Sequence, residues 1–495
     1  MIKLLQRLAP LALLATPLPA FAQQAPASAP AVAAPVPATS PAELRRLAAG
    51  HRALTLCSAL FNARWLGAPR SRSHVEAHDL VGVYPELQPY MSDGEVIIAS
   101  RHVLVRDRAT GERLALAWER GRGQGCTIAR PGAELGEVLR LPQPVPPLVP
   151  TPALWPRGDM MPLEPHDRGQ DAEAAAAGVD PNRDSPWITP EVQDGPVAAA
   201  FAGHYGAGTN TTAVVVVDDG AIVGERYATL FGIDVPQRTW SVAKSMAATV
   251  IGAAVYRGEV DVNAPAAIAQ WRGEGDPRGG ITLDHLLHMA SGLGSNSAGN
   301  RTDAIYFGGT AVDEEAPGWP PVASPGSTFR YANNDTLLAV LSISPTFAAH
   351  PPSELFARLD MHSTVAEQDW RGNYVLSSQV WTTARDLARF GMLYLNDGVW
   401  NGQRILPEGW RTYVTTPSGP QPPGEFGYGA SFWLLNRSEG VPPDTFAAFG
   451  NRGQYVVIVP SRNIVIVRRA EDPAGARFDI AAFTRDVLAS LEGRR

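Results

Sequence analysis

The sequence has little cysteine, no excess of positive charge and no hydrophobic run of membrane-spanning length. Cys57 and Cys126 are the only cysteines among 495 residues. The formal charge of -7 and the pI near 5.8 provide no basic surface for a phosphate backbone, so nucleic acid is an unsuitable partner. The chain lacks G-x-S-x-G, which argues against a nucleophile elbow. It also lacks the glycine-rich nucleotide-binding loops in a fitting context.

The first residues have the pattern of a secretory signal peptide. MIKLLQR carries two cations, an apolar run extends from Leu8 to Ala20, and Ala20-Phe21-Ala22 closes it. The run is shorter than the ~20 residues of a membrane-spanning helix. We therefore expect a signal peptide over 1–22 and a periplasmic or secreted product with no integral membrane segment. Residues 23–41, rich in Ala and Pro, cannot bury enough apolar area to fold and are predicted to be a linker.

Export also bears on the two cysteines. Both lie in one segment of the chain, and disulfides persist in oxidising compartments. We expect Cys57 and Cys126 to be bridged, with two isolated buried thiols as the alternative. Neither arrangement makes them catalytic.

Composition divides the rest of the chain into three parts. Residues 42–140 start with helical spacing and continue with short β-rich segments such as GEVIIASRHVLVRD, which predicts a small N-terminal α/β extension. Residues 141–194 are a proline-rich connecting segment. The main domain, 195–495, starts with β-rich sequence around a turn at Asp219-Gly220 and ends with QYVVIVP and NIVIVRR. Strands at both ends with helices between them predict an α+β domain whose terminal strands share one antiparallel sheet flanked by helices.

The segment TWSVAKSMAATVIGAAV gives the strongest chemical signal. Positions 242–255 are almost all small or apolar, which predicts a buried helix, yet Lys244 lies within it. Ser241 and Lys244 share one helical face, with the serine at the helix start where N–H groups favour negative charge. A desolvated lysine has its ammonium form disfavoured and can accept the serine proton. The alternative is an N-cap serine beside a surface lysine, since S-x-x-K alone often arises by chance.

Two further segments narrow the interpretation. FRYANNDTLLAV gives Tyr331-Ala332-Asn333, and AFGNRGQYVVIVP is a glycine-bracketed turn that leads into a strand. In this order the three motifs resemble the serine β-lactamase and penicillin-binding-protein superfamily. The nearest branch contains class C β-lactamases, family VIII esterases and 6-aminohexanoate-dimer hydrolases. The likeness covers roughly residues 195 to 490 and transfers no site to residues 42–190.

The resemblance implies a β-lactamase/transpeptidase-like fold with a helical subdomain, and a serine hydrolase that works through an acyl-enzyme. Ser241 is then the nucleophile and Lys244 its base. Tyr331 relays the proton to the leaving group, with its phenol favoured as an anion by the nearby ammonium. Asn333 orients Lys244 and the substrate.

The third motif, usually Lys-Thr-Gly or His-Thr-Gly in this superfamily, aligns with Asn451-Arg452-Gly453. The resemblance then implies an oxyanion hole made by the N–H groups of Ser241 and Gln454. Asn451 replaces the cation that commonly binds a substrate carboxylate. Either Arg452 supplies that charge with a bidentate guanidinium, or its side chain faces away from the cleft, because alternate strand residues face opposite sides.

These features predict a small-molecule substrate and leave the oligomeric state open. Because of Asn451, a small amide or ester ranks above a β-lactam or a D-amino-acid peptide. A catalytically slow penicillin-binding or peptidoglycan-sensing protein is the alternative, which the altered third motif and the extension motivate. No cofactor and no metal are expected; His285 and His288 have helical ligand spacing but no third ligand beside them.

Overall fold

The computed structural model describes residues 39–138, 153–161, 185, 187–295 and 302–492. The predicted signal peptide and almost all of the predicted linker lie outside the described residues, as does most of the 141–194 connecting segment. The predicted domain boundaries therefore stay predictions. Among the helices of the described residues, none combines the length and the apolar character that crossing a membrane requires.

The N-terminal extension is a long helix packed on a small antiparallel sheet. The helix starts after Ser40, whose Oγ accepts the N–H of Glu43, and Pro41 occupies the first turn, where no N–H donor is needed. Four strands pair in chain order. The elements are α1 (Pro41–Trp65), α2 (Arg72–His78), β1 (Glu95–Ile98), β2 (His102–Arg106), β3 (Arg113–Gly121), β4 (Gly125–Ile128) and α3 (Leu135–Val138).

A disulfide joins α1 to β4. Cys57 and Cys126 form it, with Cα atoms 6.0 Å apart, which confirms the predicted pairing. Both cysteines are buried in the apolar cluster between α1 and the small sheet. Because the bridge spans 69 residues of sequence, it restricts the unfolded chain and stabilises the extension.

The main domain contains a seven-stranded antiparallel sheet. Its hairpin turns at Asp219-Gly220, as predicted, and the strands from the two ends of the domain share the sheet. The strands are β5 (Thr211–Asp218), β6 (Ala221–Tyr227), β7 (Gln237–Arg238), β8 (Val365–Ala366), β9 (Val380–Thr382), β10 (Val399–Trp400), β11 (Gln403–Arg404), β12 (Gly427–Tyr428), β13 (Trp433–Leu434), β14 (Phe446–Gly450), β15 (Gln454–Val459) and β16 (Ile464–Ala470). The large sheet has the order β12-β13-β14-β15-β16-β5-β6, and β7-β9-β8 form a small separate sheet.

Both faces of the large sheet are buried. Along β5, Val215 and Val217 belong to one apolar cluster, whereas Val214 and Val216 belong to another on the opposite face. This alternation follows from the period of two in a strand, and it explains why the strand sequence is a continuous apolar run. The sheet is therefore flanked by helices, as predicted.

Helices occupy both faces of this sheet, and the regular elements described between β7 and β8 are helices. That interval corresponds to the predicted helical subdomain, so the α+β prediction is confirmed. The helices are α4 (Pro190–Val192), α5 (Ala198–Phe201), α6 (Val242–Tyr256), α7 (Leu283–Leu287), α8 (Asp303–Tyr306), α9 (Val312–Glu315), α10 (Asn333–Ser342), α11 (Pro352–Arg358), α12 (Ala384–Leu395), α13 (Trp410–Thr415) and α14 (Ile480–Ser490).

The extension packs directly on the main domain. The buried carboxylate of Glu367 accepts the N–H of Cys126 at 2.9 Å and the indole N–H of Trp381 at 3.2 Å, so one side chain binds both parts. A Cβ atom on Gly50 of α1 would collide with the carbonyl of Phe307, which shows how closely the helix approaches the domain there. The described residues of both parts belong to one compact unit.

Candidate active site

Ser241 lies at the start of the buried helix α6. Its Oγ makes no capping hydrogen bond to the helix backbone, so the hydroxyl is available to other partners. The preceding residue, Trp240, has a φ of 52°, in the left-handed region that bulky residues avoid. Such strain costs about 1–3 kcal/mol and persists only where surrounding contacts hold it. The backbone is therefore held in a specific turn immediately before the serine hydroxyl.

Lys244 lies one turn further along α6 and is 1% exposed. Its Nζ is 3.0 Å from Ser241 Oγ, 2.5 Å from Asn333 Oδ1 and 2.9 Å from the carbonyl oxygen of Ser377. A neutral amine has two N–H donors and one lone pair. The two donors match the two acceptors Asn333 Oδ1 and Ser377 O, which leaves the lone pair for the Ser241 hydroxyl.

The surroundings of Lys244 favour this neutral form. Burial, followed by the positive charge of Arg238, lowers the pKa of Lys244 to about 7. Desolvation therefore acts on Lys244 in the direction that the apolar sequence around it predicts. At neutral pH a large fraction of this amine can accept a proton.

The sequence contains one signal that points to Lys244 and that motif searching misses. Lys3 and Lys244 are its only lysines, whereas arginine supplies the remaining 40 of the 42 basic residues. Arginine keeps its proton in proteins, whereas a buried lysine can release it. The use of lysine at this buried position, in a chain that otherwise uses arginine, therefore suits a group that can lose its proton.

Tyr331 lies just before α10 and faces both Ser241 and Lys244. Its ring centroid is 5.2 Å from Lys244 Nζ and 5.3 Å from the ring of Trp433. Burial raises the pKa of Tyr331 to about 12, although the neighbouring Ser241 and Trp433 side chains act in the opposite direction. The expectation of a phenolate is therefore not supported, because the pKa of Tyr331 is raised and that of the neighbouring amine is lowered.

Two more groups hold the lysine. Asn333 is the first residue of α10, and its Nδ2 donates to Thr302 Oγ1 at 3.3 Å, which orients Oδ1 towards Lys244. Ser377 contributes its backbone carbonyl, while its side chain shares a 2.5 Å hydrogen bond with Tyr306. No sequence pattern identifies Ser377, since a loop carbonyl can belong to any residue type.

The end of β14 lies close to the turn that precedes Ser241. A Cβ atom on Gly450 would collide with the carbonyl of Thr239, two residues before Ser241. Trp433 connects this strand to Tyr331, since its ring lies 5.3 Å from Tyr331 and stacks at 5.6 Å on Phe449. We call the space bounded by Ser241, Tyr331 and the end of β14 the cleft.

The backbone of β14 presents an open edge to the cleft. The carbonyl of Thr445 accepts the N–H of Leu435 at 2.9 Å, so every second residue from Thr445 faces β13. The pairing with β13 extends only to Ala447. The N–H of Phe449 therefore faces the side that β13 leaves open.

Arg452 does not enter the cleft. Its buried guanidinium is paired with Glu471 and donates to the carbonyls of Asp79 at 3.2 Å and Val81 at 3.0 Å in the extension. Of the two directions considered for this side chain, it takes the one away from the substrate side. The contacts with Glu471 and with these two carbonyl groups hold it there, and Arg452 itself has a φ of 58°. Asn451 is exposed, and its Oδ1 accepts the N–H of Arg452 at 2.9 Å.

The positions of Gly453 and Gln454 also differ from the expected substrate-binding role. Gly453 has a φ of 76°, and a Cβ atom there would collide with Arg468, so this position requires glycine. Gln454 is fully buried; its Oε1 accepts from Arg469 at 2.6 Å, and its backbone is paired with Gly450. The turn thus shapes the end of β14, but these two residues face the sheet interior rather than the cleft.

The two helix histidines have local partners. His285 caps its own helix by accepting the N–H of Thr282 at 3.2 Å, and His288 lies 3.1 Å from Asp284. Each ring is thus engaged within or beside α7. In the described residues, no group of three or more potential metal ligands comes together.

Several known proteins are similar to this chain. The family model described as Beta-lactamase matches residues 197–490, more than half of the 495 residues. A 6-aminohexanoate-dimer hydrolase of Paenarthrobacter ureafaciens is 25% identical over 301 residues, which cover 54% of this chain and 74% of the relative. Among solved structures, a penicillin-binding protein homologue from Pyrococcus abyssi is 18% identical, with a TM-score of 0.47 over 60% of this chain and 76% of its own. A β-lactamase from Mycobacterium bovis is 19% identical, with a TM-score of 0.44 over 59% of this chain and 98% of its own.

The matched region includes Ser241, Lys244 and Tyr331, whereas the extension with its disulfide precedes it. The predicted resemblance is thus confirmed over the main domain. The chain belongs to the beta-lactamase family.

Proposed function

We propose that this chain is an exported serine hydrolase that forms an acyl-enzyme at Ser241 with a small amide or ester. The observation that carries the proposal is the contact of Ser241 Oγ with Lys244 Nζ at 3.0 Å, in a site where burial and Arg238 lower the pKa of Lys244 to about 7. A serine hydroxyl is a weak nucleophile until an adjacent base removes its proton. This pair supplies both groups on one helical turn.

Acylation in this proposal starts with neutral Lys244. Its lone pair takes the proton of Ser241, and Oγ attacks the substrate carbonyl carbon to form a tetrahedral intermediate. Tyr331, whose pKa is raised to about 12 by burial, remains a neutral phenol and donates its proton to the leaving amine or alcohol. The new ammonium of Lys244 then returns a proton to the phenolate, so the acyl-enzyme forms with no net change in protonation.

Deacylation uses the same groups in the reverse order. Water takes the place of the leaving group, and Tyr331 and Lys244 together accept its proton. The tetrahedral intermediate then expels Ser241 Oγ, which is protonated again by Lys244. Microscopic reversibility requires that the residue acting as acid in one half-reaction acts as base in the other.

An oxyanion hole in this proposal combines the N–H of Ser241 with the N–H of Phe449 at the open end of β14. The open edge beyond Ala447 supports this choice over Gln454, whose backbone pairs with Gly450. Two preorganised donors of this kind stabilise the charge that develops on the carbonyl oxygen.

An uncharged substrate fits the third motif best. Arg452 is paired with Glu471 and Asn451 is neutral, so this motif brings no cation to a substrate carboxylate. The 6-aminohexanoate-dimer hydrolase relative is named for a small amide, which supports the amide class; that amide keeps a terminal carboxylate, so the preference for an uncharged substrate rests on the third motif alone. The Cys57–Cys126 disulfide supports export, because disulfides persist mainly in oxidising compartments.

The test compares two serines of one helix. Ser241→Ala should abolish turnover of a chromogenic short-chain ester and labelling by a fluorophosphonate probe. Ser245→Ala is the matched control, because Ser245 is buried in the same turn and donates to the Ser431 carbonyl at 2.6 Å. Labelling and turnover should survive in that variant. Full activity in Ser241→Ala refutes the nucleophile, and a stoichiometric burst without turnover in the wild type favours the slow binding protein instead.

A further inference from the structure

Arg238 lies three residues before Ser241, in the short strand β7, and is buried. In the part of the chain that the structure describes, its guanidinium forms no ion pair with a carboxylate. It donates instead to neutral oxygens, through Nη2 to Ser378 Oγ at 2.7 Å and through Nε to the Ser378 carbonyl at 3.4 Å. A buried charge with neutral partners is costly and calls for a physical explanation.

Aromatic rings compensate part of that cost. The guanidinium carbon lies 3.8 Å from the ring centroid of Trp240, 5.6 Å from that of Tyr306 and 5.9 Å from that of Phe307. The faces of aromatic rings attract a cation without neutralising its charge. The strained turn at Trp240 places the nearest of these rings, so the conformation that presents Ser241 also holds the guanidinium.

Arg238 is coupled to Lys244 through one short loop. Lys244 Nζ bonds to the carbonyl of Ser377, and Arg238 bonds to the next residue, Ser378. A fixed positive charge near the amine opposes addition of a second positive charge. The hydrogen bonds from Arg238 to Ser378 also fix the neighbouring carbonyl of Ser377. That carbonyl accepts one of the two N–H donors of neutral Lys244.

We propose that Arg238 is a positioning residue that keeps Lys244 unprotonated, by means of a fixed charge that forms no ion pair with a carboxylate of the described residues. The inference rests on the proposed function, because it concerns the protonation of the proposed base. The direction of the shift agrees with it, since Arg238 is the second cause, after burial, of the lowered pKa of Lys244.

Other charged and titratable groups around the pair are mostly engaged with one another. Asp79 is paired with Arg70, and Glu471 is paired with Arg452. Glu367 is the carboxylate that interacts electrostatically with Arg238, but burial raises its pKa to about 7, which reduces its negative charge at neutral pH. The groups facing Lys244 or Arg238 from neighbouring elements are Tyr331, Tyr306, His51, Asp79, Glu367, Arg452, Arg469 and Glu471.

The test measures the protonation of Lys244 directly. In the full chain carrying Lys3→Arg, Lys244 is the only lysine, so ¹³Cε-lysine labelling gives one NMR signal that can be titrated. Arg238→Gln removes the charge, keeps an amide for Ser378, and should raise the midpoint by about one pH unit. At pH 7 the neutral fraction, and with it the acylation rate, should fall about fivefold and recover near pH 9.

Two controls separate charge from packing. Arg238→Lys keeps the charge, and Ser378→Ala removes the hydrogen bond but not the guanidinium, so both should leave the midpoint of Lys244 in place. Arg238→Met serves as a second neutral variant if Arg238→Gln does not fold by circular dichroism and thermal melting.

The outcomes distinguish this inference from the proposed function. In a folded Arg238→Gln or Arg238→Met variant, the titration midpoint of Lys244 could stay unchanged while acylation is lowered equally at every pH. That result overturns the role of Arg238 and leaves Lys244 as the base. A Lys244 that stays protonated up to pH 10 in the Lys3→Arg parent overturns the general base itself, and the inference with it. A midpoint that rises in Arg238→Gln but not in Arg238→Lys or Ser378→Ala supports both the role of Arg238 and that of Lys244 as the base.

Discussion

Replacing Lys244 by methionine should change how the stability of the protein depends on pH. The pKa of Lys244 is lowered from 10.5 to about 7 in the folded protein. Between these values the unfolded chain binds a proton that the native protein does not bind. Stability of the wild type therefore rises with pH across this window, at a slope of about 1.4 kcal/mol per pH unit.

The magnitude follows from that slope. Lys244→Met removes the titrating group, so this contribution disappears while the other titrating groups cancel between the two proteins. From pH 7 to pH 9 the wild type should gain about 2 kcal/mol in free energy of unfolding relative to the variant. Below pH 7 the difference should level off, because both states of the wild type are then protonated.

The assay is urea unfolding of both proteins with the disulfide intact, followed by tryptophan fluorescence at several values of pH. The difference in free energy of unfolding is read at each pH, so the unpaired acceptors Asn333 Oδ1 and Ser377 O add only a constant offset. A difference that stays flat from pH 6.5 to pH 9 would refute the buried neutral lysine. It would also remove the main support for Lys244 as a base.

Two further substitutions test the mechanism and the attachment of the extension. Lys244→Arg should acylate about as poorly as Lys244→Ala, because a guanidinium keeps its proton; substantial acylation by the arginine variant would leave Tyr331 as the better base. Arg452→Ala strands the buried carboxylate of Glu471 and should lower the free energy of unfolding by about 3–5 kcal/mol. A urea midpoint close to that of the wild type would mean that other contacts hold the extension.

Local features of the site could be predicted from the sequence. Ser241 and Lys244 are three residues apart on a helix whose apolar composition requires burial, so their contact follows from helix geometry alone. The hairpin at Asp219-Gly220 also follows from local turn chemistry. In both cases the residues that determine the structure are adjacent in sequence.

Features that depend on distant contacts could not be predicted in this way. The direction of Arg452 depends on carbonyl groups of Asp79 and Val81, more than 370 residues earlier in the chain. The carbonyl of Ser377 depends on the path of a loop, and any residue type offers such a group. The burial of Arg238 against Trp240 requires the left-handed turn at Trp240, which no propensity favours at a tryptophan.

The position of β16 determines when the main sheet can form. This strand lies between β15 and β5, and its residue Ile464 pairs with Asp218, which was synthesised 246 residues earlier. The edge of β5 that pairs with β16 therefore stays unpaired, and both faces of the β5–β6 hairpin stay uncovered, until the last part of the chain is available. Unpaired edges and late long-range pairing make a nascent chain slow to fold and prone to aggregate. The strand order therefore makes the β5–β6 hairpin the part of the sheet whose edge stays unpaired until the C-terminal strands are available.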